Sequence, residues 1–311
     1  MATTLPFADP SPASDRRRAI VGWGALSATI LIWASFSLSI RAIGASPLTP
    51  ADVALIRYGV PAVLLLPWLP SRLRALASIP WRPAAMIAIG AGLPFFLLSA
   101  AGGRLTSAAH VSALIAGTAP LAVALLGRLF CRQRIDGTLL PGLVTIVAGV
   151  ALMIAGLVAP GATLVLGVAL LLGASLLWGG YTLALRRVTL DPLGCVMLVT
   201  YPSLLVGAPL MAGGLLDSHL QQAPAAALLP FVLVQGVAVG IASTLTYAIA
   251  IRRLGALRCA TAGSLAPVLA ALLAVPLLGE TPSLVSALGI AAITSGILLS
   301  NLRSAKGMRR C

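Results

Sequence analysis

The chain has 311 residues, of which 59% are hydrophobic and only 9% are charged. Soluble domains carry about 25% charged residues, and intrinsic disorder requires low hydrophobicity, so the composition excludes both classes. The 21 Lys and Arg residues outnumber the 7 Asp and Glu residues, which gives a net charge of +14. An excess of basic residues occurs both in nucleic-acid-binding proteins and in membrane proteins. The positions of the basic residues along the chain distinguish these two classes.

Ten long apolar runs follow one another along the chain. A membrane helix needs about 20 such residues, and the runs lack the period-two alternation of a barrel strand. We therefore predict an all-α membrane protein with ten transmembrane helices. The predicted helices are 19–43, 50–69, 83–103, 106–128, 137–158, 162–185, 191–215, 225–251, 258–278 and 283–302. Residues 1–18 are predicted to form a disordered cytoplasmic tail and residues 303–311 a second cytoplasmic tail.

The basic residues favour one side of the membrane. If the N-terminus lies inside, 18 of the 21 fall on the inner side, Arg41 and Arg104 fall outside, and Arg57 lies within the second span. This asymmetry follows the positive-inside rule and predicts both termini in the cytoplasm of a bacterial inner membrane. The basic residues occur in small groups without a binding motif, so the expected partner is the lipid bilayer and not nucleic acid.

Two segments of the first half align with segments of the second. LIWASFSLSIR (31–41) aligns with LLWGGYTLALR (176–186), and LIAGTAPLAVALL (114–126) aligns with TAGSLAPVLAALL (261–273). Each predicted half, 19–158 and 162–302, has five helices, and an odd number places the halves in opposite orientations. Inverted repeats are typical of secondary transporters, whose substrate site lies at the repeat interface near the membrane midplane.

These segments resemble the EamA-type repeat of the drug/metabolite transporter superfamily over about residues 19–302. The resemblance rests on the segments around Trp33 and Trp178, Ala119-Pro120, Ala266-Pro267, LLGETPS (277–283), and the spacings Gly142–Gly149 and Gly289–Gly296. It implies a ten-helix exporter of amino acids or other small metabolites with a central cavity, although some members import metabolites or carry nucleotide sugars. Gln133 stands where the second half has Glu280, so one carboxylate would be missing if that position were proton-linked in both halves.

Polar and large aromatic residues deep in a span are the candidates for a substrate path. Trp33 and Trp178 either stack on a substrate or pack at the symmetry axis. Ser37, Ser175 and Thr182 lie about one turn from these tryptophans, and their hydroxyls either face the path or bond to their own helix. The remaining substrate-binding candidates are Gln235, Tyr247, Thr261, Ser264 and His110.

Several of these residues have alternative interpretations. His110 either senses protons or is a wetted residue near the membrane interface. Pro120 and Pro267 are predicted to kink helices 4 and 9 and to free backbone carbonyls toward the path. Arg57 snorkels outward, pairs with Asp52, or binds a substrate carboxylate.

The predicted function is export of a small amphipathic metabolite, such as an amino acid, by alternating access. No acidic residue lies in the middle of a predicted span, so we expect uniport or weak, indirect proton coupling. An enzyme would need a catalytic cluster, and neither such a cluster nor a metal-binding or cofactor motif occurs in the sequence. The alternatives are a non-transporting interaction or lipid-handling subunit, and an importer or multidrug carrier of the same fold. Ten helices can form a complete pathway in a monomer.

Overall fold

The computed structural model describes residues 12–133, 137–155 and 162–308. Within these ranges the regular structure is helical, with no strand. Nine helical segments there are long and apolar enough to cross a membrane, and Leu140–Ala155 is a shorter apolar helix. The predicted all-α membrane architecture is therefore confirmed.

The helical segments are numbered α1–α10 in chain order, and several consist of consecutive pieces. They are α1 (Pro12–Ala42), α2 (Pro50–Leu65, Leu66–Trp68 and Leu69–Ala77), α3 (Trp81–Ala91 and Leu93–Arg104), α4 (Ala108–Ile115 and Ala119–Cys131), α5 (Leu140–Ala155), α6 (Ala162–Leu185), α7 (Pro192–Ala212), α8 (Ala225–Phe231, Val232–Ala242 and Ser243–Leu254), α9 (Ala256–Gly263 and Ala266–Leu278) and α10 (Leu284–Met308).

The ends of the bundle differ from the predicted tails. Helix α1 begins at Pro12, so residues 12–18 are helical and the prediction of disorder is wrong for them. Helix α10 continues to Met308, through most of the predicted second tail. The rest of the predicted tails, residues 1–11 and 309–311, lies outside the described residues.

Short polar side chains begin several of the helices. The Thr49 hydroxyl accepts a hydrogen bond from the Asp52 N–H, and the Asp52 carboxylate accepts one from the Thr49 N–H. This capping box satisfies N–H groups that have no partner inside a helix. Asp191 accepts from the Gly194 N–H at the start of α7, and Pro192 occupies the first turn, where a missing N–H costs nothing.

Helices α5 and α10 pack through glycines in a two-fold arrangement. A β-carbon added at Gly142 would lie 2.7 Å from the Gly296 carbonyl oxygen, and one at Gly149 would lie 2.8 Å from the Gly289 carbonyl oxygen. Such contacts exclude any side chain at these positions. Because Gly142 and Gly149 align with Gly289 and Gly296, each repeat uses the same residues to contact the other, as a two-fold axis requires.

The other helix pairs obey the same symmetry. Helix α1 packs on α8 and α9 of the second half, and its counterpart α6 packs on α3 and α4 of the first half. Exchange of α1 with α6, of α3 with α8 and of α4 with α9 converts one set of contacts into the other. The structure is therefore two five-helix repeats in opposite orientations.

Polar contacts identify the two ends of the bundle. At the Arg41 end, Arg41 contacts Glu280, and the Thr49 hydroxyl donates to the Asp217 carbonyl at 2.8 Å. At the opposite, Arg72 end, Arg72 pairs with Asp191 at 2.9 Å. The two names are used below for these ends.

Candidate substrate path between the two halves

Four aromatic rings form a continuous row from the first half to the second. Phe36 of α1 stacks on Phe95 of α3, with centroids 6.0 Å apart and planes inclined by 14°. Phe95 contacts Trp178 of α6 at 5.4 Å, and Trp178 contacts Tyr181 at 4.9 Å. We call Phe36, Phe95, Trp178 and Tyr181 the aromatic row. Because Phe95 and Trp178 belong to different repeats, the row crosses the repeat interface.

Trp33, the counterpart of Trp178, lies at the symmetry-related interface between the repeats. Trp33 of α1 lies against Tyr247 of α8, with ring centroids 5.0 Å apart. Its indole also approaches Gly263 of α9, where an added β-carbon would lie 3.1 Å from the ring. Trp33 and Trp178 are both half-buried, and each packs on the opposite repeat. The structure thus brings Trp33, Trp178 and Tyr247 to the repeat interface.

A buried polar cluster lies beside the row. Arg57 of α2 donates through Nη1 to Gln235 Oε1 of α8 at 2.6 Å, and Gln235 Nε2 donates to the Ser39 hydroxyl of α1 at 2.6 Å. Arg57 is 8% exposed and Gln235 is 0% exposed. We call Arg57, Gln235 and Ser39 the Arg57 cluster. Gln235 therefore joins the two repeats, since its partners are on the first and it is on the second.

Aromatic faces surround the guanidinium of Arg57. Its central carbon lies 5.2 Å from the Phe36 ring centroid, 5.6 Å from that of Phe96 and 5.7 Å from that of Tyr58. These distances are within the range of a cation–π interaction. Phe36 belongs to both the aromatic row and this cage, so the cation and the row form one continuous site.

The backbone of α8 is irregular at this point. Val232–Ala242, which includes Gln235, is a π-helix, a conformation that is rare and frequent at functional sites. On the facing helix, Pro61 removes the N–H that would bond to the Arg57 carbonyl. Both irregularities adjoin the Arg57 cluster, and neither the π-helix nor this cluster was predicted from the sequence.

Two of the candidate hydroxyls bond to their own helix. Thr182 donates to the Trp178 carbonyl at 2.8 Å, and Ser264 donates to the Thr261 carbonyl at 2.6 Å. The Thr182 bond is the backbone-bonding alternative described for this residue, and Ser264 makes a bond of the same kind. Ser37 is buried at 2% exposure.

Ser175 has a partner on the other repeat. The Thr118 hydroxyl of α4 lies 2.7 Å from the Ser175 hydroxyl of α6 and donates to the Leu114 carbonyl at 2.6 Å. Ser175 is 1% exposed. It therefore joins α4 to α6 in this conformation.

His110 lies near the Arg41 end and is buried. Its ring Nδ1 is 2.7 Å from the Ser107 hydroxyl, which also accepts from the His110 N–H at the start of α4. His110 as a whole residue is 5% exposed. The interpretation of His110 as a water-exposed residue near the membrane interface therefore does not describe this conformation. His110 Nε2 has no hydrogen-bond partner among the described residues.

Pro120 and Pro267 interrupt their spans instead of kinking a continuous helix. Each stands in the first turn of a second helical piece, which begins at Ala119 in α4 and at Ala266 in α9. A proline there lacks the N–H that would bond to the preceding turn. The helix breaks before Ala119 and Ala266 lie at equivalent places in the two repeats. That the breaks free backbone carbonyls toward the substrate path stays a prediction.

The pocket found in the structure is not the predicted central cavity. It opens between α2, α3 and α7, with Tyr58, Leu93 and Ser203 among its walls. The two tryptophans do not line it, and the central cavity remains a prediction. Across the described part of the chain, no group of three or more His, Cys, Asp or Glu residues could hold a metal ion.

The comparison with protein families gives one result for both halves. Residues 20–155 and residues 165–302 each match the EamA-like transporter family. The chain belongs to this family. The resemblance inferred from the repeats is thus confirmed, and the protein is a membrane transporter of the drug/metabolite type.

Solved structures show the fold of this EamA-like transporter. A crystal structure described only as that of a protein is 19% identical, covers 92% of this chain and 97% of its own, and superposes with a TM-score of 0.59. At this identity the likeness concerns the fold alone. No curated protein matches the chain.

The sequence did not predict much of the candidate site of this EamA-like transporter. Phe36, Phe95 and Tyr181 complete the row around Trp178, and Tyr58 and Phe96 complete the cage. Each is unremarkable in an apolar span, where aromatic residues pack in most cases. The one available signal was Arg57, because an arginine inside a span requires polar or aromatic neighbours.

Proposed function

We propose that this EamA-like transporter exports a small amphipathic metabolite, such as an amino acid, across a bacterial inner membrane by alternating access. The observation that carries the proposal is the aromatic row, which crosses from α1 and α3 of the first repeat to α6 of the second. Aromatic faces bind apolar and cationic groups. A substrate between the halves would contact both repeats and would sense their relative movement.

The charge distribution supports an orientation with both termini in the cytoplasm. The connections at the Arg72 end carry nearly all of the arginines outside the spans, while Arg41 and Arg104 are at the Arg41 end. The acidic residues Asp52, Asp217 and Glu280 are also at the Arg41 end. Cationic connections stay on the cytoplasmic side, which makes the Arg41 end periplasmic.

The polar ties at the Arg41 end support a transport cycle that starts from a conformation closed there. Glu280 joins α1, α4 and the α9–α10 turn, and Asp52 joins the start of α2 to the α7–α8 connection. For export, a substrate enters from the Arg72 end and these ties then separate. The two carboxylates of these contacts, Glu280 and Asp52, lie at helix ends and not in the middle of a span. This position supports uniport or weak, indirect proton coupling.

Transport into proteoliposomes tests the proposal. The purified full-length chain is reconstituted, and counterflow of radiolabelled amino acids is measured for the wild type, Trp178→Ala and Trp33→Ala. We expect the exchange rate to fall about tenfold or more in Trp178→Ala. The substitution removes a stacking interaction worth roughly 1 kcal/mol, and it also removes the energy of the apolar surface that the ring buries. Trp68→Ala is the matched control, because Trp68 is 50% exposed and lies outside the row.

Two results would contradict the proposal. Unchanged kinetics in both Trp33→Ala and Trp178→Ala would remove both tryptophans, and with Trp178 the aromatic row, from the substrate path. A strict requirement for a pH gradient would contradict uniport, and it is measured by repeating counterflow with equal pH on both sides.

Rates that scale linearly with protein at low protein-to-lipid ratios would support a functional monomer.

A further inference from the structure

We infer that Arg57 is the binding site for a carboxylate of the substrate, which makes the transported compound an organic acid or amino acid with an apolar or aromatic body. This inference deepens the proposed function and rests on it. It names the charged group of the substrate and the residue that receives it, which the aromatic row alone does not.

The first argument is the position of the charge. Arg57 is seven residues into α2 from Pro50, which places its backbone about 10 Å below the start of the helix at 1.5 Å per residue. The side chain does not snorkel, because the residue is only 8% exposed and its guanidinium is held by Gln235 of α8. A buried cation at this depth is costly unless a partner compensates it.

The second argument is the missing counter-charge. Asp52, the partner considered from the sequence, is occupied by Thr49, Ser218 and His219. Neither of the ion pairs Arg41–Glu280 and Arg72–Asp191 includes Arg57, and no other carboxylate of the described part of the chain is paired with it. Gln235 is neutral. Among the described residues the guanidinium charge therefore faces no carboxylate, and the Gln235 carbonyl oxygen and the aromatic faces compensate it.

The third argument is the unused hydrogen-bonding capacity. A guanidinium has five N–H donors in a planar fork; among the described residues, Arg57 uses Nη1 to bind Gln235 and also interacts with the Tyr58 side chain, which leaves most of the donors unused. Its Nε is buried and has no partner among the described residues. The planar fork matches the two oxygens of a carboxylate, and one negative charge balances one guanidinium, whereas a phosphate dianion would leave an excess of charge.

The fourth argument is continuity with the aromatic row. Phe36 lies 5.2 Å from the Arg57 guanidinium and stacks on Phe95, which in turn contacts Trp178. A ligand whose carboxylate pairs with Arg57 would place its apolar body along these rings. Gln235 of α8 binds the guanidinium and is itself held by the Ser39 hydroxyl of α1, so the anion would lie where the two repeats meet.

A matched pair of ligands tests the inference on the purified wild-type protein. Isothermal titration calorimetry compares 3-phenylpropanoate with 3-phenylpropanamide, which differ only in the carboxylate. We expect the acid to bind about tenfold or more tightly, because a hydrogen bond between charged groups is stronger than one to a neutral amide. Equal affinity for the two compounds, or no binding of the acid, would overturn the inference.

Substitution of the arginine tests the same preference. Arg57→Gln should bind the acid and the amide equally, and Arg57→Lys should keep part of the preference because it keeps the charge. Arg104→Gln is the matched control, since Arg104 is an exposed arginine at the Arg41 end, and it should behave as the wild type. A preference that survives in Arg57→Gln would assign the carboxylate to another residue.

A third measurement, which combines thermal unfolding with ligand binding, does not depend on the folding of Arg57→Gln. Gln235→Glu places a carboxylate against the guanidinium and imitates the bound substrate. We expect its melting temperature to rise by about 3 °C, and its affinity for 3-phenylpropanoate to fall at least about tenfold. A melting temperature that falls by the same amount would show that Arg57 is already compensated, and would overturn the inference.

The outcomes separate this inference from the proposed function. Transport that depends on Trp178 but shows no preference for acids over amides would leave the transporter proposal standing and remove the carboxylate site. Tight, Arg57-dependent binding of acids without transport in proteoliposomes would support the site and contradict export.

Discussion

The residues that end α4 and α9 have the same backbone conformation but are followed by different side chains. Arg132 and Gly279 occupy equivalent positions, and both end their helix in the left-handed conformation, at φ 52° and 67°. The next N–H, of Gln133 or Glu280, bonds back to the equivalent carbonyls of Gly127 and Ala274. The repeat has therefore preserved this helix end in both halves.

The side chains that follow do different things. Glu280 Oε1 accepts from Arg41 Nε at 2.5 Å, and Oε2 accepts from the Ala108 N–H at the start of α4 at 2.9 Å. The Gln133 amide instead lies against Gly127 of its own helix. The difference shows that Glu280 ties three helices together, while the Gln133 side chain lies against the end of its own helix. The equivalent positions of the two repeats are thus used unequally.

Removal of the Glu280 carboxylate should have the largest effect on this difference. Glu280→Ala breaks an ion pair and leaves the Ala108 N–H without its acceptor, and we expect a loss of about 2 kcal/mol. For a chain of this size the melting temperature in detergent should fall by about 5 °C. The matched variant Gln133→Ala should change it by less than about 1 °C. Equal losses in the two variants would show that the turns are equivalent after all.

The two left-handed residues give a smaller and opposite pair of effects. Gly279→Ala introduces a β-carbon at φ 67° and should cost about 1 kcal/mol, whereas Arg132→Gly relieves that strain and should gain about as much. Thermal unfolding of both variants measures the shifts, which are expected to have opposite signs. A loss of stability in Arg132→Gly would mean that its side chain makes a contact worth more than the strain.

The ion pair at the Arg72 end gives the smallest effect, and it depends on pH. The hydrogen bond from Arg72 lowers the pKa of Asp191 below its ordinary value of 3.8. A lowered pKa means that the pair stabilises the protein above pH 4, and that this contribution is lost as the pH falls through the lowered value. Because the two side chains are 23% and 48% exposed, the effect should be below about 1 kcal/mol.

Unfolding between pH 6 and pH 3 checks this expectation. Arg72→Gln should flatten the part of the pH dependence that arises from Asp191, while Arg74→Gln, an exposed neighbour on the same helix, should leave it unchanged. Identical pH profiles for the wild type and Arg72→Gln would show that the ion pair contributes nothing to stability.

The fold followed from the sequence because its determinants are repeated and local. Long apolar runs define membrane helices, and the aligned glycines and prolines placed the same irregularities in both halves. The tryptophans and Gln235 were found because large aromatic and polar residues are conspicuous in a span. The interruptions at Pro120 and Pro267 were predicted as kinks, since a single sequence does not show whether the chain continues beyond the proline as one helix.

The partners of these residues could not be predicted. Which ring faces Trp178, and whether Arg57 meets Asp52 or Gln235, depends on the rotation of each helix against its neighbours. The π-helix of α8 changes that rotation at Gln235 itself, and nothing in the sequence Val232–Ala242 marks it. The direction of a side chain in the bilayer is set by packing between helices. This packing depends on many residues that are distant from one another in the sequence.

The glycine contact between α5 and α10 has a consequence for the energetics of a transport cycle. Gly142 meets Gly296 and Gly149 meets Gly289, so an exchange of the conformations of the two repeats maps this contact onto itself. It is the same before and after the exchange, and its strength therefore adds equally to both conformations without favouring either. In the proposed alternating-access cycle the bundle could thus be strengthened at this joint with no bias between its two openings, whereas Glu280, which aligns with Gln133 and not with a carboxylate, would change their balance.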